Sequence, residues 1–113
     1  MRQVAAPELA ALCAALPPES GAAVLLDVRE PWEVALATIR IDGAESLQMP
    51  MNQVPTRLAE LDPARPIVCI CHHGVRSAQV VAFLERQGFE SVYNLAGGIE
   101  AWSAQVDASV PHY

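Results

Sequence analysis

Short runs of apolar residues recur along the chain and alternate with segments in which apolar residues are spaced as on a helix. A strand buried on both faces of a parallel sheet is apolar throughout, whereas a helix packed on a sheet is apolar along one stripe. Apolar runs predict strands at residues 22–28 and 67–70, and further strands are predicted at residues 46–49 and 92–95. The helical spacing predicts helices at residues 7–16, 55–61 and 77–87, with short helices beginning at residue 31 and after Gly97-Gly98.

The order of these elements indicates the fold class. Pro7 suits the first position of a helix, and Gly88 suits the residue just after one. Strands that alternate with helices form parallel sheets covered by helices. We therefore predict an α/β fold with a central, mostly parallel β-sheet and helices on both faces, as a single domain over residues 1–113. Its core is expected at about residues 7–104, followed by an irregular C-terminal tail at 105–113.

Composition narrows the function classes. The chain has 113 residues, 52% of them hydrophobic, a size at which one domain can bury a core without disulfides or a metal. Its formal net charge is −6 and it has no basic stripe, which argues against nucleic-acid binding. No apolar run approaches the ~20 residues of a membrane span. Glu8 falls where the apolar part of a signal peptide would lie, so we expect a cytoplasmic protein.

The three cysteines do not form a disulfide framework, because their number is odd. Cys13 in an Ala- and Leu-rich helix and Cys69 inside an apolar strand are expected to be packing residues. Together with Cys71, His72 and His73, Cys69 offers side chains of the type that bind zinc. Adjacent histidines and a strand cysteine seldom converge on one tetrahedron, so we expect no metal and no other cofactor.

Cys71 is the candidate nucleophile, because it ends an apolar strand and opens a loop that leads into a helix. The loop consists of His72, His73, Gly74, Val75 and Arg76, and Ser77 begins the predicted helix. The N-terminus of a helix carries about half a positive charge, and successive loop amides can surround an anion. Arg76 adds a permanent cation. All three features favour the thiolate, which is the nucleophilic form of cysteine.

Asp27 and Arg29 lie at the end of the strand predicted at residues 22–28. In open α/β sheets, ligands bind beyond the carboxyl ends of strands, which is also where Cys71 lies. We expect Asp27 and Arg29 to support the site as an ion pair, or through hydrogen bonds that pin a loop, rather than through direct chemistry.

The remaining polar side chains of the loop have predicted directions. Arg76 is expected to point inward, where its planar guanidinium could bind loop carbonyls or Asp27. Because loop amides must face inward to hold an anion, the side chains of His72 and His73 are expected to flank the mouth of the pocket. Protonated imidazole there would attract an anionic donor. His112, in the tail, is expected to be solvated.

Three segments of the chain resemble the rhodanese domain family, in the family's order. They read Asp27-Val28-Arg29-Glu30, then Cys71-His72-His73-Gly74-Val75-Arg76-Ser77, then Asn94-Leu95-Ala96-Gly97-Gly98-Ile99-Glu100-Ala101-Trp102. The resemblance covers about residues 7–102. It implies a rhodanese-like fold and a stand-alone sulfurtransferase of the thiosulfate sulfurtransferase type. In such a protein Cys71 would form a persulfide, the loop from Cys71 to Arg76 would cradle its sulfur, and Asp27 and Arg29 would match the family's acidic and basic pair.

The same resemblance implies the substrates. Sulfane sulfur would pass from a donor such as thiosulfate to cyanide, a small thiol or a protein thiol, with no nucleic acid or membrane involved.

Two departures from the family pattern concern residues near the site. At positions 39–44, where many members carry Gly-His-Ile-Pro-Gly-Ala, Arg40 replaces the His and Asp42 the Pro. The loop carries His72 and His73 where many members have Lys or Arg.

Two alternatives remain open. Phosphatases and arsenate reductases also use a cysteine, a loop of amides and an arginine. Tyrosine-phosphatase-like signatures place five residues between the two, whereas four separate Cys71 from Arg76. The other alternative is a binding module or a persulfide carrier in a protein-to-protein sulfur relay, although silent modules of this family typically lack the cysteine.

Overall fold

A five-stranded sheet forms the centre of the molecule. The computed structural model describes the backbone of residues 1–113 and every side chain except that of Pro18. The strands are β1 (Arg2–Ala5), β2 (Val24–Asp27), β3 (Glu45–Gln48), β4 (Ile67–Ile70) and β5 (Val92–Ala96). Their order across the sheet is β1-β5-β4-β2-β3, and every neighbouring pair is parallel. The parallel sheet predicted from the sequence is therefore confirmed.

Helices connect the strands and cover the sheet. The α-helices are α1 (Leu9–Ala14), α2 (Pro31–Leu36), α3 (Val75–Arg86) and α4 (Gly98–Gln105). Short 3₁₀ turns occur at Ala6–Glu8, Pro18–Ser20, Met51–Gln53 and Leu58–Glu60. None of the helices in the described part of the chain has the length and apolar composition needed to cross a membrane.

Two apolar cores lie on opposite faces of the sheet, because successive side chains of a strand point to opposite faces. Leu26 and Cys69 contribute to one core, under α3. Leu25 and Val68, their neighbours in the chain, contribute to the other core, together with Trp102 of α4. Helices therefore pack on both faces, as predicted. This arrangement fixes the ends of β2 and β4 side by side, where Asp27 pairs with Ile70 in the strand register.

The structure differs from the predicted elements in two places: it has one strand that was not predicted, and it lacks one predicted helix. β1 was not predicted; it is an edge strand of four residues in which only Val4 is fully buried, so it has too little apolar pattern to be recognised. The helix predicted at residues 55–61 is a series of turns ending in the 3₁₀ turn at Leu58–Glu60. There the N–H groups of Glu60 and Leu61 donate to the carbonyls three residues earlier, those of Arg57 and Leu58, which is the 3₁₀ and not the α-helical pattern.

The C-terminal segment beyond α4 has no regular secondary structure, but it is packed against the body of the protein. Val110 is 8% exposed and belongs to the same core as Trp102. Ser103 Oγ donates to the carbonyl of Val110. The core therefore extends beyond residue 104, the limit expected from the sequence, and the tail is held in a defined position.

Candidate functional site

Cys71 lies directly after β4, in a loop that turns at Gly74 into α3. Its side chain is almost fully buried, with 1% of the residue exposed. Gly74 has φ +97°, a left-handed conformation that favours glycine, and this turn brings its N–H to 3.0 Å from Cys71 Sγ. α3 begins at Val75, two residues before the predicted start. The sulfur thus receives a backbone hydrogen bond immediately before the N-terminus of a helix.

Ser77 and Asn94 contact the inner side of the loop. Ser77 Oγ lies 3.2 Å from Cys71 Sγ and 2.5 Å from Asn94 Oδ1. Asn94 Nδ2 donates to the carbonyl of Gly74 at 3.1 Å, which fixes the orientation of the amide. A hydroxyl has one hydrogen, so Ser77 can donate to Asn94 or to the sulfur, but not to both at once. The pair can therefore adjust to the protonation state of Cys71.

The N-terminus of α4 holds the outer side of the loop. Ile99 N–H donates to the carbonyl of Cys71 at 2.9 Å, and Glu100 N–H donates to the carbonyl of His72 at 3.1 Å. In a trans peptide the C=O and the following N–H point in opposite directions, so the amides of His72 and His73 point away from α4. Gly98, at φ +62°, makes this contact possible, because a Cβ there would lie 2.5 Å from the carbonyl oxygen of Cys71.

Arg76 forms a two-point ion pair with Glu33 of α2. Its Nη1 and Nη2 donate to Glu33 Oε1 and Oε2 at 2.7 and 2.8 Å. The Glu33 carboxylate is buried, whereas a third of the Arg76 side chain is exposed. The bond from Arg76 lowers the pKa of Glu33 to about 2, and the pKa of Arg76 is raised in turn. Arg76 does point inward, but its partner is Glu33 and not the expected loop carbonyls or Asp27.

Asp27 and Arg29 form a second ion pair, deeper in the protein. Arg29 is fully buried, and its Nε and Nη2 donate to the two carboxylate oxygens of Asp27 at 2.9 and 2.6 Å. Arg29 Nη2 also donates to the carbonyl of Ala37, at the end of α2, at 2.6 Å. The pair therefore ties β2 to α2, the helix that carries Glu33.

Tyr113, from the tail, joins the two ion pairs. Its hydroxyl accepts a hydrogen bond from Arg29 Nη1 and donates one to Glu33 Oε2, each at 2.8 Å. Burial raises the pKa of Tyr113, so the hydroxyl keeps the proton that it donates. The ring stacks on His72 with centroids 4.0 Å apart and planes 9° apart, and Trp32 packs against it edge-on at 6.2 Å. The tail is thus in direct contact with the loop that follows Cys71.

The two loop histidines occupy different environments. His73 is exposed, and its ring stacks on His72 at 4.0 Å. His72 lies between His73 and Tyr113, and burial lowers its pKa, with a further contribution from His73. Among the described residues its Nε2 has no hydrogen-bond partner, although Glu100 Oε2 lies 3.6 Å away. His72 is therefore neutral at pH 7 and does not supply the positive charge that a Lys would bring.

The remaining cysteines and His112 lie outside this constellation. Cys69 is fully buried, and burial raises the pKa of its thiol. Cys13 is partly buried in α1, which is not part of the loop. His112 is exposed but bonds Glu100 Oε1 at 2.8 Å. Within the described residues, no group of three or more His, Cys, Asp and Glu side chains is arranged to hold a metal ion.

Three of the residues that build the site were not identified from the sequence as functional. Asn94 stands in the last of the three segments that carried the family resemblance, but its contact with the loop depends on the pairing of β5 with β4. Glu33 follows Pro31, which begins the predicted short helix, so the sequence could have indicated a carboxylate in the first turn of α2. Nothing in the sequence around Tyr113, an aromatic residue in a polar segment, predicted a contact with the loop.

The loss of stability as the pH falls below 4.5 is expected to come partly from protonation of Glu33. Its pKa is about 2 in the folded protein against 4.5 for an ordinary glutamate, so it stabilises the fold above pH 4.5, and this contribution is lost as the pH falls towards 2. A difference of this size corresponds to about 3 kcal/mol. In Glu33→Gln the unfolding free energy should be lower at pH 7, and the gap from the wild type should narrow as the pH falls.

Urea unfolding at pH 7 and pH 3 measures this gap. Glu60→Gln is the matched control, because Glu60 also pairs with an arginine, Arg57, but on the exposed surface. It should change the unfolding free energy little at either pH. An equal pH dependence in Glu33→Gln and the wild type would show that the Arg76–Glu33 pair does not stabilise the fold.

Comparison with known proteins identifies relatives of this arrangement. The family model of the rhodanese-like domain matches residues 9–105. The thiosulfate sulfurtransferase GlpE of Stutzerimonas stutzeri is 33% identical over 103 residues, which cover 86% of this chain and 91% of that protein. The rhodanese-like/PpiC domain-containing protein 12 of Arabidopsis thaliana chloroplasts is 41% identical over 91 residues, 80% of this chain, but the chain spans only 30% of its length.

The fold is also found in solved structures. A rhodanese-like domain protein from Staphylococcus aureus superposes with a TM-score of 0.75 at 30% sequence identity, covering 90% of this chain and 91% of that one. The predicted rhodanese-like fold is therefore confirmed by both sequence and structure.

Proposed function

This chain belongs to the rhodanese-like domain family, and we propose that it is a sulfurtransferase whose nucleophile is Cys71. The observation that carries the proposal is the hydrogen bond from Gly74 N–H to Cys71 Sγ, in a loop that ends at the N-terminus of α3. A backbone donor aimed at sulfur stabilises the anionic forms, thiolate and persulfide. The relative from Stutzerimonas stutzeri, a thiosulfate sulfurtransferase, supports thiosulfate as donor.

The first half of the reaction loads the enzyme. The Cys71 thiolate attacks the outer sulfur of thiosulfate, the S–S bond of thiosulfate breaks, and sulfite leaves with the electron pair. Cys71 then carries a persulfide whose terminal sulfur is anionic. We assign to the N–H groups of His72 and His73, which point away from α4, the role of additional donors to this anion. The positive end of α3 lies beside them.

The second half returns the enzyme to its starting state. Cyanide carbon, or the sulfur of a thiolate acceptor, attacks the terminal sulfur of the persulfide. The S–S bond breaks, and its electron pair returns to Cys71 as thiolate. With cyanide the product is thiocyanate. Neither half requires an external oxidant or reductant, and Ser77 can turn its hydroxyl hydrogen towards the sulfur whenever it is anionic.

Arg76 acts through position rather than through contact with sulfur in this proposal. Its guanidinium is engaged by both oxygens of Glu33, and this pair holds the loop against α2. The cation still favours an anionic sulfur nearby. Four residues between Cys71 and Arg76 make a tighter ring of amides than five, which suits a single sulfur better than a tetrahedral phosphate.

The free cysteines suit a reducing compartment, and we propose that the protein works in the cytoplasm.

Steady-state formation of thiocyanate tests the function. Purified protein should convert thiosulfate and cyanide to thiocyanate and sulfite in equal amounts, with the parallel double-reciprocal plots of a double-displacement reaction. A persulfide carrier would release sulfite once per molecule but would turn over only with its protein acceptor. Hydrolysis of an aryl phosphate without sulfur transfer would contradict the proposal and favour the phosphatase class.

A further inference from the structure

Tyr113 occupies a position that nothing in the chemistry of Cys71 requires. It comes from a tail without regular structure, yet its ring lies flat against His72, the residue that follows the nucleophile. With His73 on the other side, three rings form a continuous stack along the loop. Trp32 of α2 supports the far edge of the tyrosine. The stack forms a wall beside the loop that carries Cys71.

The wall is fixed in place at both ends of the tyrosine. The hydroxyl is held by Arg29, which is fully buried, and by the buried carboxylate of Glu33. If the ring swung away, Arg29 Nη1 and Glu33 Oε2 would each lose a hydrogen bond in a poorly solvated place, which is unfavourable. The tail behind it is anchored by Val110, packed in the core. Tyr113 is therefore much less mobile than a residue on a free tail.

We propose that Tyr113 is a specificity-determining residue, whose ring limits the size of the sulfur acceptor that can reach Cys71. The proposal rests on the sulfurtransferase function above. Because only 1% of Cys71 is exposed, a reactant must pass the side chains that cover the loop, and the ring of Tyr113 covers His72, the residue next to Cys71. A linear acceptor such as cyanide can enter beside a rigid aromatic wall, whereas a branched thiol or a protein thiol would contact the ring before its sulfur reached the persulfide.

Alkylation by two reagents of equal chemistry and different size tests the wall without requiring turnover. The reagents are iodoacetamide and iodoacetamidofluorescein, and all variants carry Cys13→Ala and Cys69→Ala, so that Cys71 is the one thiol left to alkylate. In Tyr113→Ala the ratio of the rate constants, bulky over small, should rise by about tenfold, a typical size for discrimination by pocket shape. In Tyr113→Phe, which keeps the ring but loses the two hydrogen bonds that hold it, the ratio should rise much less than in Tyr113→Ala.

Tyr93→Ala is the matched control, since Tyr93 is a half-buried tyrosine of β5 that contacts Arg2 and not the loop. Its ratio should be that of the wild type. An unchanged ratio in Tyr113→Ala, or an equal rise in Tyr113→Phe, would overturn the proposal. If Tyr113→Ala loses a cooperative thermal transition, Tyr113→Leu, which keeps apolar volume without a planar ring, should raise the ratio instead.

A second arm connects the wall to sulfur transfer. With thiosulfate as donor, Tyr113→Ala should speed transfer to a cysteine-containing peptide relative to transfer to cyanide. If Tyr113→Ala leaves the ratio of peptide to cyanide transfer unchanged, the proposal is overturned, even if the ratio of alkylation rate constants has changed. If the wild type shows no sulfur transfer at all, the proposed function fails, whereas the alkylation ratios still decide whether Tyr113 controls access.

Discussion

Replacement of Cys71 by serine is expected to lower thiocyanate formation by more than about a thousandfold, because removal of a covalent nucleophile removes the reaction path itself. A serine hydroxyl has nearly the same shape as the thiol, so it should accept the hydrogen bond from Gly74 N–H and leave the loop in place. Its alkoxide is not accessible at neutral pH, and it cannot form a persulfide. The thermal midpoint of the variant should therefore remain close to that of the wild type.

Cys69→Ser is the control for this result. Cys69 is two residues away on the same chain segment but fully buried in the core. Burial of its hydroxyl should lower the unfolding free energy by about 1–3 kcal/mol, while most of the activity remains. The expected pattern is thus an inactive, stable Cys71 variant and an active, less stable Cys69 variant. Turnover retained in folded Cys71→Ser would contradict the assignment of the nucleophile.

Gly98→Ala is expected to lower both stability and activity strongly, although it adds only one methyl group. A Cβ at position 98 would overlap the carbonyl oxygens of both Cys71 and His72, and these are backbone atoms that cannot rotate away. The residue is also in the left-handed region, which L side chains rarely adopt. We expect a loss of about 3 kcal/mol or more in unfolding free energy, from overlap and backbone strain together. Sulfur transfer should fall severely, because the loop must move away from α4.

Gly88→Ala separates the two causes. Gly88 has φ +92°, but a Cβ there would have no atom within 4 Å. This variant therefore carries backbone strain without overlap, and it should lose only about 1 kcal/mol and keep full activity. Urea unfolding and thiocyanate assays on both variants provide the comparison. Equal losses of stability and equal activities in the two would show that the contact of α4 with the loop is unimportant.

The sequence was sufficient to predict the parts of the fold that depend on local pattern. β2, β4 and β5 were predicted, because strands buried in a parallel sheet are recognisable from their composition. β3 was predicted as well, although it is an edge strand in which only Leu47 is partly buried. β1 was missed because an edge strand of four residues needs only one buried side chain, Val4. The helix predicted at 55–61 was wrong because an apolar spacing does not distinguish an α-helix from successive turns that end in a 3₁₀ turn.

The loop from Cys71 to Arg76 could be recognised in the sequence because its residues are contiguous, and Cys71 as the nucleophile stays a prediction. The partners of the loop were not, since each comes from a distant part of the chain. Arg76 was assigned to loop carbonyls or Asp27, whereas its carboxylate partner, Glu33, lies 43 positions away. Tyr113 lies 80 positions from Glu33. Such pairs are set by how helices and tail pack on the sheet, and a single sequence carries no record of that packing.

Mass spectrometry of the protein after incubation with thiosulfate, without reductant, determines whether Cys71 carries the transferred sulfur. The peptide containing Cys69 and Cys71 should gain the mass of one sulfur atom. Fragmentation should place that sulfur on Cys71, and cyanide should remove it with release of thiocyanate. Protein that forms thiocyanate from thiosulfate and cyanide while Cys71 carries no added sulfur, or carries it on Cys69, would contradict the account.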